Sequence, residues 1–224
     1  MADRVYLDWN AAAPLRDEAT AAMIAAMDVV GNPSSVHGEG RAAKAVVEKA
    51  RAQVAAAVGC DVAEVVFTSG ATEAAAILSG LPEGHGVFVQ DTGHECLWAH
   101  ADFEGAADSG HVLAMGLANG ETGVVTQPPS PVDGRFPFGA RFADWLGLDV
   151  TQAIGRVPFA FNWSKADFAI LSAHKLGGPK GIGALIARSG KDFNPLMRGG
   201  GQELGRRSGT ENIVGIAGFG AAAE

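Results

Sequence analysis

Cysteine is scarce in this chain: of 224 residues only two are cysteines, Cys60 and Cys96. Their spacing fits neither a metal-binding motif nor a disulfide framework. No apolar run approaches the roughly 20 residues needed to span a membrane. The first residues also lack the basic region and apolar stretch of a secretory signal. These absences predict a cytoplasmic protein with no metal site, no structural disulfide and no membrane insertion.

Long basic runs are missing as well, and the formal net charge is -8. This balance argues against a nucleic acid as partner. Glycine, in contrast, is abundant at 31 residues and clusters where strands are expected to pass into helices. Such glycines suit turns that cradle a phosphate group.

Apolar patterning predicts helices that alternate with short strands. The predicted helices cover residues 16–30, about 38–58, a stretch after Thr72, and a segment that begins near Asn212. The predicted strands cover residues 64–68, 87–89, 112–115, 168–171 and 184–187. This alternation predicts an α/β fold with a mostly parallel sheet and helices on both faces. Residues 127–139, rich in proline and glycine, are predicted to form an irregular surface loop.

One lysine directly follows a predicted strand. Lys175 lies after residues 168–171 and before a glycine-rich stretch, 176–183. At a strand end a lysine amine can be partly desolvated and held against a carbonyl compound, which lowers its pKa and allows a Schiff base. Lys175 is therefore a candidate covalent anchor for a cofactor.

A possible anion site follows the strand at 64–68. The backbone N–H groups of residues 69–72, including that of Ala71, and the Thr72 hydroxyl could converge on a phosphate at the positive end of a helix. The alternative is an ordinary helix cap, because serine and threonine are common at such positions.

Two further sets of candidate cofactor-binding residues could equally have ordinary structural roles. Asp149, three residues before Gln152, could keep a pyridine nitrogen protonated, with Gln152 donating to an oxygen of the same ring. A solvated loop carboxylate and a helix-capping amide are the alternatives. His94 follows the strand at 87–89 and could stack on a flat cofactor or move protons. It could equally be a structural or exposed histidine.

Six short motifs lie in a fixed order along nearly the whole chain. They are YLDxN from Tyr6, GNPSSVH from Gly31, FTSGATE from Phe67, NxETG from Asn119, SxHK from Ser172 and RSGTEN from Arg207. Each motif alone is weak, but the six in this order resemble the cysteine desulfurases. These are pyridoxal-phosphate enzymes of the class V aminotransferase family, with an aspartate aminotransferase-like large domain.

The resemblance implies pyridoxal 5'-phosphate as cofactor and assigns roles to individual residues. Lys175 would anchor the cofactor and move protons on the substrate carbon, while His94 would stack on the ring. The remaining contacts implied are Asp149 with the ring nitrogen, Gln152 and Asn119 with the ring, and Ala71, Thr72, Ser172 and His174 with the phosphate. Thr210 would reach the phosphate of a neighbouring subunit, which implies a homodimer with shared active sites.

The resemblance also divides the chain into an N-terminal arm, 1–16, and a large cofactor-binding domain, 17–224. We expect the small C-terminal domain of the family, with its persulfide-forming cysteine and substrate-binding arginine, to be absent from this chain. Gly120 stands where the family usually has an asparagine that contacts the cofactor. Cys96 lies near the expected ring, but a free cysteine is more often a small buried hydrophobe.

The implied reaction converts L-cysteine to L-alanine and transfers sulfur as a persulfide, with a sulfur-acceptor protein as possible partner, for iron-sulfur cluster or thiocofactor synthesis. Two alternatives stay open from the sequence. One is another class V lyase or aminotransferase, and the other is a shortened homologue that binds the cofactor without turnover.

Overall fold

The computed structural model of the protein describes residues 4–81, 83–191, 193–195 and 197–224, and it has an α/β fold. The first three residues of the predicted N-terminal arm lie outside the described residues. The helices are α1 (Asp17–Met27), α2 (Gly38–Val58), α3 (Ala71–Ala74), α4 (Glu95–Trp98) and α5 (Ile213–Ala223). The strands are β1 (Val65–Thr68), β2 (Val87–Val89), β3 (Val112–Gly116), β4 (Phe136–Phe138), β5 (Arg141–Ala143), β6 (Trp145–Asp149), β7 (Phe168–Ser172) and β8 (Gly183–Ala187).

Six strands form one sheet in the order β1-β8-β7-β6-β3-β2. Neighbours among β2, β3, β6 and β7 are parallel, whereas β8 is antiparallel to both β7 and β1. The predicted mostly parallel sheet is confirmed. Because β1 runs in the same direction as β7, the carboxyl ends of five strands meet at one edge of the sheet.

Helices cover both faces of the sheet, and the strand residues alternate between the two core layers. Val65 and Phe67 of β1 belong to the layer formed with α2 and α5. Val66 faces the opposite layer, to which α3 and α4 contribute. This alternation is the period-2 pattern of a strand buried on both sides.

Most predicted elements lie close to their expected bounds. The helix predicted at 38–58 is α2, and it ends where Gly59 adopts the left-handed conformation at φ +69°. The helix predicted at 16–30 is shorter, since α1 ends at Met27. The helix predicted after Thr72 is also short, because α3 ends at Ala74 and continues as a 3-10 turn over Ala75–Gly80.

Two features were not predicted from the sequence. The strand β6 escapes the apolar pattern because Gly147 interrupts it. A Cβ at Gly147 would lie 2.2 Å from the Phe168 ring, so the neighbouring strand requires this glycine. The irregular loop predicted at residues 127–139 is confirmed over 127–135 and wrong at its end, because β4 begins at Phe136 and pairs with β5.

The loop before α5 is fastened by a buried ion pair. Arg51 Nη1 and Nη2 donate to the two carboxylate oxygens of Glu203 at 2.7 and 2.8 Å. The Phe67 backbone N–H also donates to Glu203, at 2.8 Å. These bonds tie the loop to α2 and β1. Within the described parts of the chain, no helix has the length and apolar character needed to cross a membrane.

Candidate active site

A polar cavity of about 1010 Å³ opens at the edge where the carboxyl ends of the five strands meet. This is the edge at which open parallel sheets bind ligands. The cavity brings together nine of the ten predicted site residues: Ala71, Thr72, His94, Asn119, Asp149, Gln152, Ser172, His174 and Lys175. The tenth, Thr210, is exposed in the loop before α5 and lies outside this lining.

Lys175 ends a 3-10 turn, Ala173–Lys175, that directly follows β7. Its Nζ donates to the backbone oxygen of Asn10 in the N-terminal arm. Burial lowers the pKa of Lys175, and the nearby charge of Arg156 lowers it further. The carboxylates that act in the opposite direction are Asp149, Asp8 and Glu121. The lowered pKa favours an amine that can attack a carbonyl carbon.

Asp149 is the last residue of β6 and is 9% exposed. Burial raises the pKa of this carboxyl, while the hydrogen bond from the Thr151 N–H at 2.9 Å and the charges of His94 and Lys175 act in the opposite direction. The structure therefore places the carboxyl in the wall of the cavity and not in a solvated loop. A buried carboxylate here suits a cationic partner in the cavity.

The hydrogen-bond donors at the carboxyl ends of β1 and β7 differ in part from those predicted for the anion site. Ser172 Oγ accepts the Ala71 N–H at 2.8 Å, so this N–H is already used. The helix α3 has four residues, too few for a substantial dipole. The hydroxyls of Ser172 and Thr72 and the imidazole of His174 line the cavity and can also serve an anion. Burial lowers the pKa of His174, as do the neighbouring charges of Lys175 and Lys180.

The Asn119 side chain shapes the rim of the cavity. Its Oδ1 accepts from the backbone N–H groups of Glu121 and Thr122 at 3.1 and 2.9 Å. Its Nδ2 donates to the Thr92 oxygen at 3.2 Å. The Oδ1 bonds thus close the turn that follows Asn119, and the Nδ2 bond joins this loop to the loop that follows β2. The contact of Asn119 with a cofactor ring stays a prediction.

The absence of a side chain at Gly120 leaves room for Gln152. Gln152 Nε2 donates to the Asn10 oxygen at 2.9 Å. A Cβ added at Gly120 would lie 2.7 Å from this Nε2 atom. The amide of Gln152 thus occupies the space that a side chain at residue 120 would need.

We expect Gly120→Ala to push the Gln152 amide away from Asn10 and to lower the free energy of unfolding by about 1 kcal/mol, the size of one lost hydrogen bond. In a Gln152→Ala background the same substitution should cost much less, because the colliding group is gone. Denaturant unfolding of the four proteins in this cycle measures the coupling. Equal costs in both backgrounds would contradict the predicted collision.

The Thr151 hydroxyl is a buried group in the cavity wall. It has no hydrogen bond of standard geometry to any part of the chain that the structure describes, but its interaction with the Asp149 carboxyl helps to lower the pKa of that carboxyl. Thr151 lines the same cavity as Asp149 and Lys175. This hydroxyl therefore belongs to the polar environment of the Asp149 carboxyl.

Cys96 also lines the cavity, but its environment disfavours reaction. Burial raises the pKa of the Cys96 thiol to about 12, and the charge of Asp149 adds to this rise. Burial likewise raises the pKa of Cys60 to about 12. At neutral pH both side chains are therefore thiols and not the nucleophilic thiolates.

We predict that neither cysteine of the native protein reacts quickly with Ellman's reagent at neutral pH, whereas both react after denaturation. The measurement is the release of the coloured thiolate over time. A rapid reaction of one equivalent that disappears in Cys96→Ser would show that the thiol of Cys96 is activated.

Sequence reasoning missed Arg156 as a residue of this region. Arg156 Nη2 donates to the Lys175 oxygen at 2.8 Å, and its Nη1 contacts Gln152 Oε1. The only signal in the sequence is its position four residues after Gln152. Asn10, in contrast, was part of a motif but was not assigned to the site.

Comparisons with known proteins were made for the whole chain. It matches the family described as class V aminotransferases over residues 5–107 and 143–224. It is 40% identical to a cysteine desulfurase of Cereibacter sphaeroides, over 99% of this chain and 65% of that protein. It is 33% identical to the cysteine desulfurase IscS of Dictyoglomus turgidum, over 100% of this chain and 64% of that protein.

A solved structure of a NifS-like protein from Rickettsia africae matches with a TM-score of 0.83 and 29% identity, over 99% of this chain and 68% of that one. The chain thus has the fold of the NifS-like proteins. It spans less than two thirds of the length of the two curated relatives. The segment between the two matched ranges contains β3, Asn119 and Gly120, the region where the chain departs from the family's motif.

Proposed function

The chain belongs to the class V aminotransferase family, and from this premise we propose that it binds pyridoxal 5'-phosphate through Lys175 and removes sulfur from L-cysteine. The observation that carries the proposal is a lysine of lowered pKa and a buried carboxylate, Asp149, at the ends of neighbouring strands in one cavity. The names of the curated relatives favour L-cysteine over other amino acids as substrate.

The side chains of the cavity fit the three functional parts of this cofactor. Ser172, Thr72 and His174 offer donors to a phosphate. The amine of Lys175 suits an aldehyde, and the carboxylate of Asp149 suits a protonated pyridine nitrogen.

Each residue has a distinct task in the proposed reaction. When bound, pyridoxal phosphate supplies an electron sink for bonds at the α-carbon of the substrate. Lys175 would hold the cofactor and would remove and return protons at Nζ. Asp149 would hold the proton on the ring nitrogen, and His94 would contact the ring. Gln152 would donate to the ring oxygen.

The sulfur step breaks the carbon–sulfur bond of L-cysteine. The carbon gains a proton and L-alanine leaves, while the sulfur joins the sulfur of an acceptor thiol as a persulfide. The raised pKa values of Cys60 and Cys96 argue against either as the acceptor. We therefore propose a different acceptor thiol, such as that of a sulfur-acceptor protein serving iron-sulfur cluster or thiocofactor synthesis.

The proposal extends to assembly and location. The protein acts as a cytoplasmic homodimer in which Thr210 reaches the phosphate bound by the neighbouring subunit. The exposure of Thr210, in a loop fastened by the Arg51–Glu203 pair, supports this arrangement. The proposal keeps the division of the chain into an N-terminal arm, 1–16, and a large cofactor-binding domain, 17–224.

The test is incubation of the protein with pyridoxal phosphate, L-cysteine and a reducing thiol, followed by assay of alanine and sulfide. We expect both products in equal amounts. Release of a keto acid would favour another class V lyase or aminotransferase, and visible absorbance without product would favour a binding homologue. A protein that stays colourless with added cofactor would contradict the proposal.

A further inference from the structure

The guanidinium of Arg156 joins three segments around the candidate anchor. Its Nη2 donates to the backbone oxygens of Lys175 at 2.8 Å and Trp9 at 3.3 Å. Its Nη1 donates to the backbone oxygen of Gln152 at 3.4 Å and contacts the Oε1 atom of the same residue. One side chain thus holds together the turn after β6, the turn after β7 that contains Lys175, and the N-terminal arm.

This junction determines where the arm meets the lysine. Trp9 directly precedes Asn10, whose backbone oxygen accepts from both Lys175 Nζ and Gln152 Nε2. The arm is also tied by the Ala13 N–H, which donates to the His174 oxygen at 2.9 Å. Holding the Trp9 oxygen beside the Lys175 oxygen therefore keeps the Asn10 oxygen within reach of the lysine amine.

We propose that Arg156 is a positioning residue that clamps the N-terminal arm over Lys175, so that the Asn10 oxygen directs the lysine amine at the cavity. The inference rests on the proposed role of Lys175 as anchor. Arg156 itself does not line the cavity. Its planar fork reaches several acceptors at once, which a lysine ammonium cannot do in the same geometry.

The positive charge of Arg156 also acts on the lysine amine. Burial and then the positive charge of Arg156 lower the pKa of Lys175. Asp149, Asp8 and Glu121 are the charged groups that oppose this effect. Burial also lowers the pKa of the Arg156 guanidinium. Arginine nevertheless stays charged in proteins, so its positive charge faces Lys175 while the lysine titrates.

The test measures the pKa of Lys175 in the cofactor-free protein. The lysines are methylated with ¹³C-formaldehyde and a reductant, and the Lys175 resonance, assigned by its loss in Lys175→Ala, is followed with pH. We expect Arg156→Gln to raise this pKa by about half a unit or more. Arg156→Lys should shift it less, since the charge is kept. Arg41→Gln, which removes an equal charge outside the cavity lining, should leave it unchanged.

Amide exchange gives the second readout. Both Arg156 variants should speed the exchange of the Ala13 N–H, because neither side chain joins the Trp9 and Lys175 oxygens. An unchanged pKa and unchanged exchange in a folded Arg156→Gln protein would overturn the inference. If this variant fails to fold, parental Ala13 exchange in Arg156→Lys would overturn it. Both readouts use the cofactor-free protein, so a failure of cofactor binding contradicts the proposed function separately.

Discussion

Lys175→Ala should remove the visible absorbance that the parent protein acquires with pyridoxal phosphate, and it should lower alanine formation by about a thousandfold or more. The reason is that this side chain both holds the cofactor and moves protons at the substrate carbon. The measurements are an absorption spectrum of the dialysed protein and an alanine assay with L-cysteine.

The matched control is Lys44→Ala, which removes an exposed lysine from α2. It should keep the parental spectrum and rate. Circular dichroism checks that Lys175→Ala is folded. A folded Lys175→Ala protein that keeps a stable visible band after dialysis would contradict the assignment of the anchor.

Asp149→Asn should lower the rate of alanine formation by about a hundredfold or more, because the negative charge facing the ring nitrogen is lost. Asparagine keeps an oxygen that can accept the Thr151 N–H, so the local fold should persist. Steady-state kinetics with saturating cofactor measures the effect. A parental rate in this variant would show that the Asp149 charge has no part in catalysis.

The same substitution should stabilise the cofactor-free protein at neutral pH. Burial raises the pKa of Asp149 above its value in the unfolded chain. Its contribution to the free energy of unfolding is therefore fully present at low pH and declines as pH rises above the ordinary aspartate value of about 4. In Asp149→Asn this decline is absent. Denaturant unfolding at several pH values from acid to neutral compares the parent protein with Asp149→Asn. Parallel stability curves would contradict the raised pKa of Asp149.

A substitution that lowers the rate but raises the stability indicates a residue that is retained for chemistry. Asp149 costs stability in the empty cavity, whereas Arg51 and Glu203, the other buried charges considered above, neutralise each other across 2.7 and 2.8 Å. A buried ion pair neutralises itself, whereas burial still raises the pKa of Asp149 despite the nearby charges of His94 and Lys175. This contrast separates a binding residue from a structural one without reference to relatives.

Much of the fold could be predicted because local patterns agree with the final packing. The helix α2 has an apolar face and a glycine, Gly59, at its end, and both signals lie within the segment itself. The strand β6 could not be recognised in this way. Gly147 lowers the strand propensity of this segment. The glycine is needed because the ring of Phe168 on the next strand fills the space of a side chain, and this contact joins residues distant in the chain.

The residues of the site also divide into those that local sequence patterns could predict and those that depend on contacts between distant segments. Lys175 follows a predicted apolar strand, so its place at the edge of the sheet could be expected from the strand pattern. Asp149 ends β6, which the pattern did not predict, so its role beside Lys175 rested on the family resemblance. The use of the Ala71 N–H by Ser172 could not be foreseen, since it depends on the distance between two loops. Arg156 was missed for the same reason, because its partners lie 19 and 147 residues away in the chain.

The central claim is that Lys175 anchors pyridoxal phosphate, and the most direct test is to fix the attachment chemically. The protein is incubated with the cofactor, reduced with borohydride, digested and mapped by mass spectrometry. The account predicts the reduced cofactor on Lys175 and on no other lysine at stoichiometric yield. Attachment to a different lysine such as Lys180, or no stoichiometric attachment at all, would contradict it.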